Sequence, residues 1–134
     1  ILAITDGGEF VMIRQYRHGI GQTRYELCAG VVDPGEEPLE AAKRELWEET
    51  GYGGGEWERT MVISGNPSTT NNLTHCYLAK GVRRVSGQHL EGTEDISVHL
   101  LTVDDVRQLL LDDGIKQSLM LAPLWRYFAI NKLL

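Results

Sequence analysis

An α+β fold, with helices flanking a sheet, is predicted for this chain of 134 residues by three observations. Runs rich in β-branched and aromatic residues recur near the start and again between residues 57 and 101, most of them joined by short turns. A helical repeat over 38–50 opens at a proline and stops at a glycine. Two further helical patterns occupy the end of the chain.

The elements follow in order. "ILAIT" and "EFVMIRQY" read as strands joined by the turn "DGG", with Phe10, Met12 and Arg14 alternating along the second. "TRYELCAGVV" reads as a third strand and "DPGEEP" as a turn. Pro38 suits the first position of a helix because the amide hydrogen it lacks has no intrahelical partner there. Leu39, Ala42 and Leu46 then form an apolar stripe, and Gly51 stands where a helix C-cap belongs. "YGGGE" reads as a flexible loop. "WERTMVIS" and "LTHCYLAK" make a strand pair around the polar loop "GNPSTTNN", and "ISVHLL" is a further short strand. Thr102 and Asp105 have the spacing of a capping box for the helix "VDDVRQLLLDD", closed by Gly114. A last helix runs through "QSLMLAPLWRYFAIN", with a bend expected at Pro123.

Bulk properties exclude several classes. The length suits one domain, residues 1–134, and no repeat or linker divides it. A net charge of −6 argues against a nucleic-acid partner, which needs a basic stripe. No apolar run approaches the length of a membrane span. The opening "ILAITDGGEF" lacks the regions of a signal peptide and starts without Met inside a strand pattern, with upstream residues expected to have been removed. Cys28 and Cys76 match no ligand or redox spacing and read as buried thiols in a reducing, cytoplasmic setting. The histidines show no metal spacing: His89 lies two before Glu91, but no P-C-x-x-C follows, so a zinc deaminase is unsupported. "GYGGGE" fails both the dinucleotide and P-loop spacings.

The stretch "AAKRELWEETGY" breaks a local rule. A helix carries about half a negative charge at its C-terminal end, where each carboxylate costs roughly 0.3–1 kcal/mol. Yet Glu45, Glu48 and Glu49 crowd the last two turns, and at three- and four-residue spacings they repel one another. Such a violation without compensation marks a functional site. The three side chains fall within an arc of about 100° and offer hard oxygen ligands, which suit Mg²⁺ or Mn²⁺. Divalent ions would relieve the repulsion and bring an anionic substrate to an acidic protein.

Gly30, Glu36 and the run Arg44-Glu45-Leu46-Trp47-Glu48-Glu49-Thr50-Gly51-Tyr52 match G-x5-E-x7-R-E-U-x-E-E-x-G-U. By this motif, spanning 30–52, the chain resembles the Nudix hydrolases. Tyr52 is the one departure, standing where Ile, Leu or Val is usual. The resemblance implies the Nudix fold, a mixed sheet sandwiched between α-helices (α/β/α), and metal-dependent hydrolysis of a nucleoside diphosphate linked to another moiety. Glu45, Glu48 and Glu49 become metal ligands, joined by the carbonyl of Ala29, the residue before Gly30. Glu48 is also counted with the catalytic residues, and Arg44 orients the carboxylates through ion pairing.

Outside the motif the chain is similar to ADP-ribose pyrophosphatases and related nucleotide-sugar hydrolases over most of residues 9–131. The segments carrying this are "RQYRHGIGQTRYELCAGVVDPGEE", Pro67 fifteen residues beyond Tyr52, and "EDISV" after an acidic loop. Cys28 departs from the pattern where a proline is usual. ADP-ribose is then the leading substrate, cleaved to AMP and ribose 5-phosphate, with Arg17, Glu26 and Pro67 as substrate contacts. An arginine fork suits a phosphate. The water-activating base is expected on the loop "QHLEGTEDI", which offers Glu94, preferred, and Glu91; an offset two residues earlier falls on Gly92. Relatives of this type commonly dimerise, so a homodimer is expected. Two rivals stand beside this reading. One is a Nudix hydrolase of GDP- or UDP-sugars, nucleoside triphosphates or capped RNA. The other is a non-catalytic nucleotide-sensing module, which would be expected to lose motif carboxylates that this chain keeps.

Overall fold

The computed structural model describes residues 1–134. Seven strands and three helices run in the order β1 (Leu2–Thr5), β2 (Phe10–Arg17), β3 (Gln22–Leu27), α1 (Pro38–Thr50), β4 (Tyr52–Gly53), β5 (Glu56–Ile63), β6 (Thr74–Arg84), β7 (Ile96–Leu101), α2 (Val103–Leu111) and α3 (Ser118–Ile130). No helix is long and apolar enough to cross a membrane.

The sheet is mixed. β1, β2 and β3 form an antiparallel meander, while β1 also pairs with β6 in parallel, Leu2 opposite Leu78. β5 and β6 form the expected hairpin, and β7 returns to pair antiparallel with β2, Phe10 opposite Leu101. Side chains alternate across a sheet, so neighbouring residues sort onto opposite faces. Leu2, Phe10, Met12, Leu27 and Leu78 pack with Val106, Leu110, Leu124 and Phe128 of α2 and α3. Their neighbours Ala3, Val11, Cys28 and Ala79 pack with Leu46 of α1. Helices therefore cover both faces, which gives the α/β/α layering. It also explains why four consecutive β2 residues, Phe10 to Ile13, are buried where a two-residue alternation was expected.

Helix α1 has the bounds that Pro38 and Gly51 foretold. Gly51 adopts φ 77°, the left-handed C-cap conformation, and its amide donates to the Trp47 carbonyl. Ala41, Ala42 and Leu46 are buried, and Leu39 is only half-buried. The Thr102–Asp105 capping box opens α2 with both reciprocal bonds.

Three local expectations need correction. The third strand ends at Leu27: residues 28–37 carry no strand and instead meet α1, Gly30 against the Glu45 carboxyl and the Val31 carbonyl on Arg44, a close backbone approach that another sheet edge would not allow. Tyr52 and Gly53 belong to a short strand on β6, since the tie between Gly51 and residues 85–86 brings them alongside. At the end of α2 the left-handed residue is Asp113, at φ 60°, and Gly114 instead closes the turn by donating to the Leu109 carbonyl. As expected, one helix, α3, runs through Pro123, which is buried at its sixth position.

Candidate active site

Glu45 and Glu48 of α1 converge with Glu36 on one guanidinium. Arg44 forks onto Glu36 at 2.9 and 3.0 Å, reaches Glu45 at 2.9 Å and Glu48 at 3.2 Å, and donates to the Val31 carbonyl at 3.0 Å. Glu36 also accepts from the Asp33 amide, so the loop before α1 and the helix itself share this arginine. Paired first with Glu36, Arg44 is held more firmly in its charged form, and Glu36 is held below the usual carboxylate range by the same bonds. The expected ion pairing of Arg44 with the carboxylates is present, and it offsets part of the crowding of Glu45 and Glu48. Part of the missing positive charge is Arg44, one residue away in sequence. Glu36 itself had been read only as a motif position, and its eight-residue spacing from Arg44 carries no signal without the fold.

Glu49 is not in this network. It is 6% exposed, and its Oε2 atom is buried without a hydrogen-bond partner. Burial, then the nearby charges of Glu45 and Glu94, pushes its carboxyl up to about 7, against the opposing influence of Cys28 and the Ala29 backbone. Burial likewise pushes Glu45 up, opposed by Arg44 and reinforced by Glu48 and Glu94. Gly30 passes so close that a Cβ added there would lie 2.0 Å from the Glu45 carboxyl carbon.

A divalent cation fits this donor set: a buried carboxylate oxygen lacks a partner, the neighbouring donors are hard oxygens, and a side-chain-free Gly30 backbone faces them. The three helix glutamates do not, however, stand as a ready-made group of ligands, because Glu45 and Glu48 are turned to Arg44.

A cavity of about 530 Å³ opens beside Glu45, lined by Arg17, Ala29, Gly30, Asn72, His75 and Gln117 among others. Arg17 stands at its rim in a bidentate pair with Glu26, at 2.9 and 2.7 Å. Glu26 is buried, so this is a half-buried pair with its arginine fork fixed in place. Pro67 is exposed in the 64–73 loop and does not line the cavity, whereas Asn72 and Leu73 from the same loop do. Of the two acidic residues offered by the later loop, Glu94 lies within electrostatic reach of Glu45 and Glu49, and Glu91 is exposed. The Glu94 carboxylate accepts from the Glu91 amide at 2.9 Å, which closes the turn.

A mixed sheet thus lies between helices, with the carboxylate-bearing end of α1 within electrostatic reach of Glu94 on the 85–95 loop and beside a cavity. The NUDIX domain family model matches residues 1–122, and the chain belongs to that family. It is 32% identical over 119 residues to the methanol dehydrogenase activator of Bacillus methanolicus, covering 88% of this chain and 64% of that one. It is also 32% identical over 110 residues to an ADP-ribose pyrophosphatase of Bacillus subtilis, covering 81% and 60%. The chain thus spans under two thirds of the length of these relatives. A solved structure described as an ADP compounds hydrolase matches with TM-score 0.81 and 23% identity, over 99% of this chain and 72% of that one, which shows the shared fold.

Proposed function

We propose that this chain hydrolyses the pyrophosphate of a nucleoside diphosphate linked to another moiety, with ADP-ribose as the leading substrate and AMP and ribose 5-phosphate as products. The observation that carries the reading is the unpartnered, buried Glu49 oxygen, within electrostatic reach of Glu45 and Glu94 and beside the Ala29 backbone. The similarity to an ADP-ribose pyrophosphatase supports the choice of substrate. The cavity volume falls within the roughly 300–1,000 Å³ typical of small-molecule sites.

Glu45, Glu48, Glu49 and the Ala29 carbonyl would hold the ion, magnesium or manganese. A divalent cation bound there supplies polarisation of a phosphoryl oxygen and a more acidic water. Arg44 keeps Glu45 and Glu48 oriented, with Glu36 behind it. Glu94 takes the proton from the attacking water. Arg17, fixed by Glu26, presents its remaining donors to phosphate at the cavity rim. The reading takes residues 1–134 as one catalytic domain, acting in the cytoplasm and as a homodimer.

Incubation with Mg²⁺ and a panel of ADP-ribose, GDP- and UDP-sugars, nucleoside triphosphates and capped RNA, with products separated by chromatography, tests the assignment. AMP and ribose 5-phosphate from ADP-ribose are expected. Faster turnover of another substrate would reassign the specificity, and no cleavage of any would leave a binding module.

A further inference from the structure

Residues 85–95, between β6 and β7, are tied to the C-terminal end of α1. The last carbonyls of a helix have no partner within it. Here Gly51 O accepts from Val85 N at 2.8 Å and Ser86 N at 3.1 Å, and Glu48 O accepts from His89 N at 2.7 Å. Glu49 O accepts from the Gln88 side-chain amide at 2.9 Å. That same amide donates to Ile96 O at 2.7 Å, at the first residue of β7. Gln88 therefore does more than cap a helix: it joins both ends of the 89–95 loop to the turn that carries Glu48 and Glu49. The His89 ring adds a second fixing, stacked on the Trp47 indole at 4.0 Å and 14°.

The tether has electrostatic work to do. The loop carries Glu91, Glu94 and Asp95, and brings Glu94 within electrostatic reach of Glu45 and Glu49. Like charges drive these apart. Within the loop, Glu91 and Glu94 close on each other through two hydrogen bonds, Glu91 N to Glu94 Oε1 and Glu94 N to Glu91 O. Space beside Gly87 and Gly92 is open. The closed turn is joined to α1 through Gln88 and His89.

We infer that Gln88, with the His89–Trp47 stack, is a positioning residue that holds the closed turn, and so Glu94, over Glu45 and Glu49. The inference rests on Glu94 being the base of the proposed hydrolysis. The test is a double-mutant cycle in the full chain: Gln88→Leu, Glu94→Gln and the pair together, assayed for kcat and KM on ADP-ribose with Mg²⁺, alongside hydrogen exchange of residues 89–95. Gln88→Leu is expected to lower kcat about 10-fold or more with KM within about 2-fold, to raise loop exchange, and to cost under about 2-fold once Glu94 is already Gln. Equal losses in both backgrounds, or wild-type kcat for Gln88→Leu, overturn the inference and leave Gln88 a cap. Full activity of Glu94→Gln overturns it together with the base assignment. Should Gln88→Leu fail to fold, His89→Ala keeps the backbone donor and is read in the same way. Should the wild type not cleave ADP-ribose, the substrate reading falls by itself, and loop exchange decides the tether: exchange unchanged in Gln88→Leu and His89→Ala overturns it.

Discussion

Gly30 shows most simply how one residue serves the site. Its lack of a Cβ is what allows the Glu45 carboxyl to sit against the loop before α1, since an added methyl would stand 2.0 Å from that carboxyl carbon. The clash falls on the end of a flexible side chain, so the helix survives and the carboxylate moves. Gly30→Ala is therefore expected to keep its melting temperature within a few degrees while turnover falls about 10-fold or more, by displacement of a group that must be held within about 0.5 Å. Assays of kcat beside thermal melts check this, and unchanged kcat would remove Glu45 from the site. The glutamates themselves were legible because three like charges at a helix C-terminus break a local rule. Gln88 was not legible: its partners are backbone carbonyls brought from 39 and 8 residues away, and no side-chain pattern announces them. Pro67, singled out by its offset, is exposed and not among the residues lining the cavity, whereas Asn72 and Leu73 of its loop are.

Among the elements, α1 was readable to its ends because its signals are local: a proline at the first position and a left-handed glycine after the last. Gly51 is doubly constrained, by φ 77° and by the Ser86 carbonyl 2.2 Å from where its Cβ would lie. Gly51→Ala is expected to cost about 1–3 kcal/mol, from backbone strain and the loss of close approach together. Chemical denaturation measures it, with a cost below about 0.5 kcal/mol counting against the close packing of α1 on residues 85–86. The end of β3 was not readable. Cys28, Val31 and Val32 have strand-like side chains, but tertiary demands at the carboxylates override that preference. Pairings distant in sequence were equally hidden, since the parallel match of β1 to β6 and the return of β7 to β2 leave no mark on local periodicity.

Across the whole molecule, the unrelieved charge makes stability depend on pH. Glu49 rises from its ordinary 4.5 to about 7 in the fold, so between these values the folded state holds more protons than the unfolded one. Its contribution is present below about 4.5 and is lost as pH rises through 7. Protein treated with a chelator is expected to lose on the order of 1–3 kcal/mol between pH 4.5 and 7.5 from this group, an effect that added Mg²⁺ reverses by binding the folded state alone. Thermal melts across that range with and without Mg²⁺ check the sign, and Glu49→Gln should flatten the chelated profile. A chelated protein that instead gained stability over this interval would show that Glu49 is not buried as an unpartnered carboxyl.

The most direct test of the metal-binding role of α1 is a titration of chelator-treated protein with Mn²⁺, followed by electron paramagnetic resonance. Wild type is expected to bind the ion, with affinity at least about 10-fold weaker in both Glu45→Gln and Glu49→Gln. Folded wild-type protein that leaves Mn²⁺ free, or glutamine variants that bind it as tightly as wild type, would contradict the account.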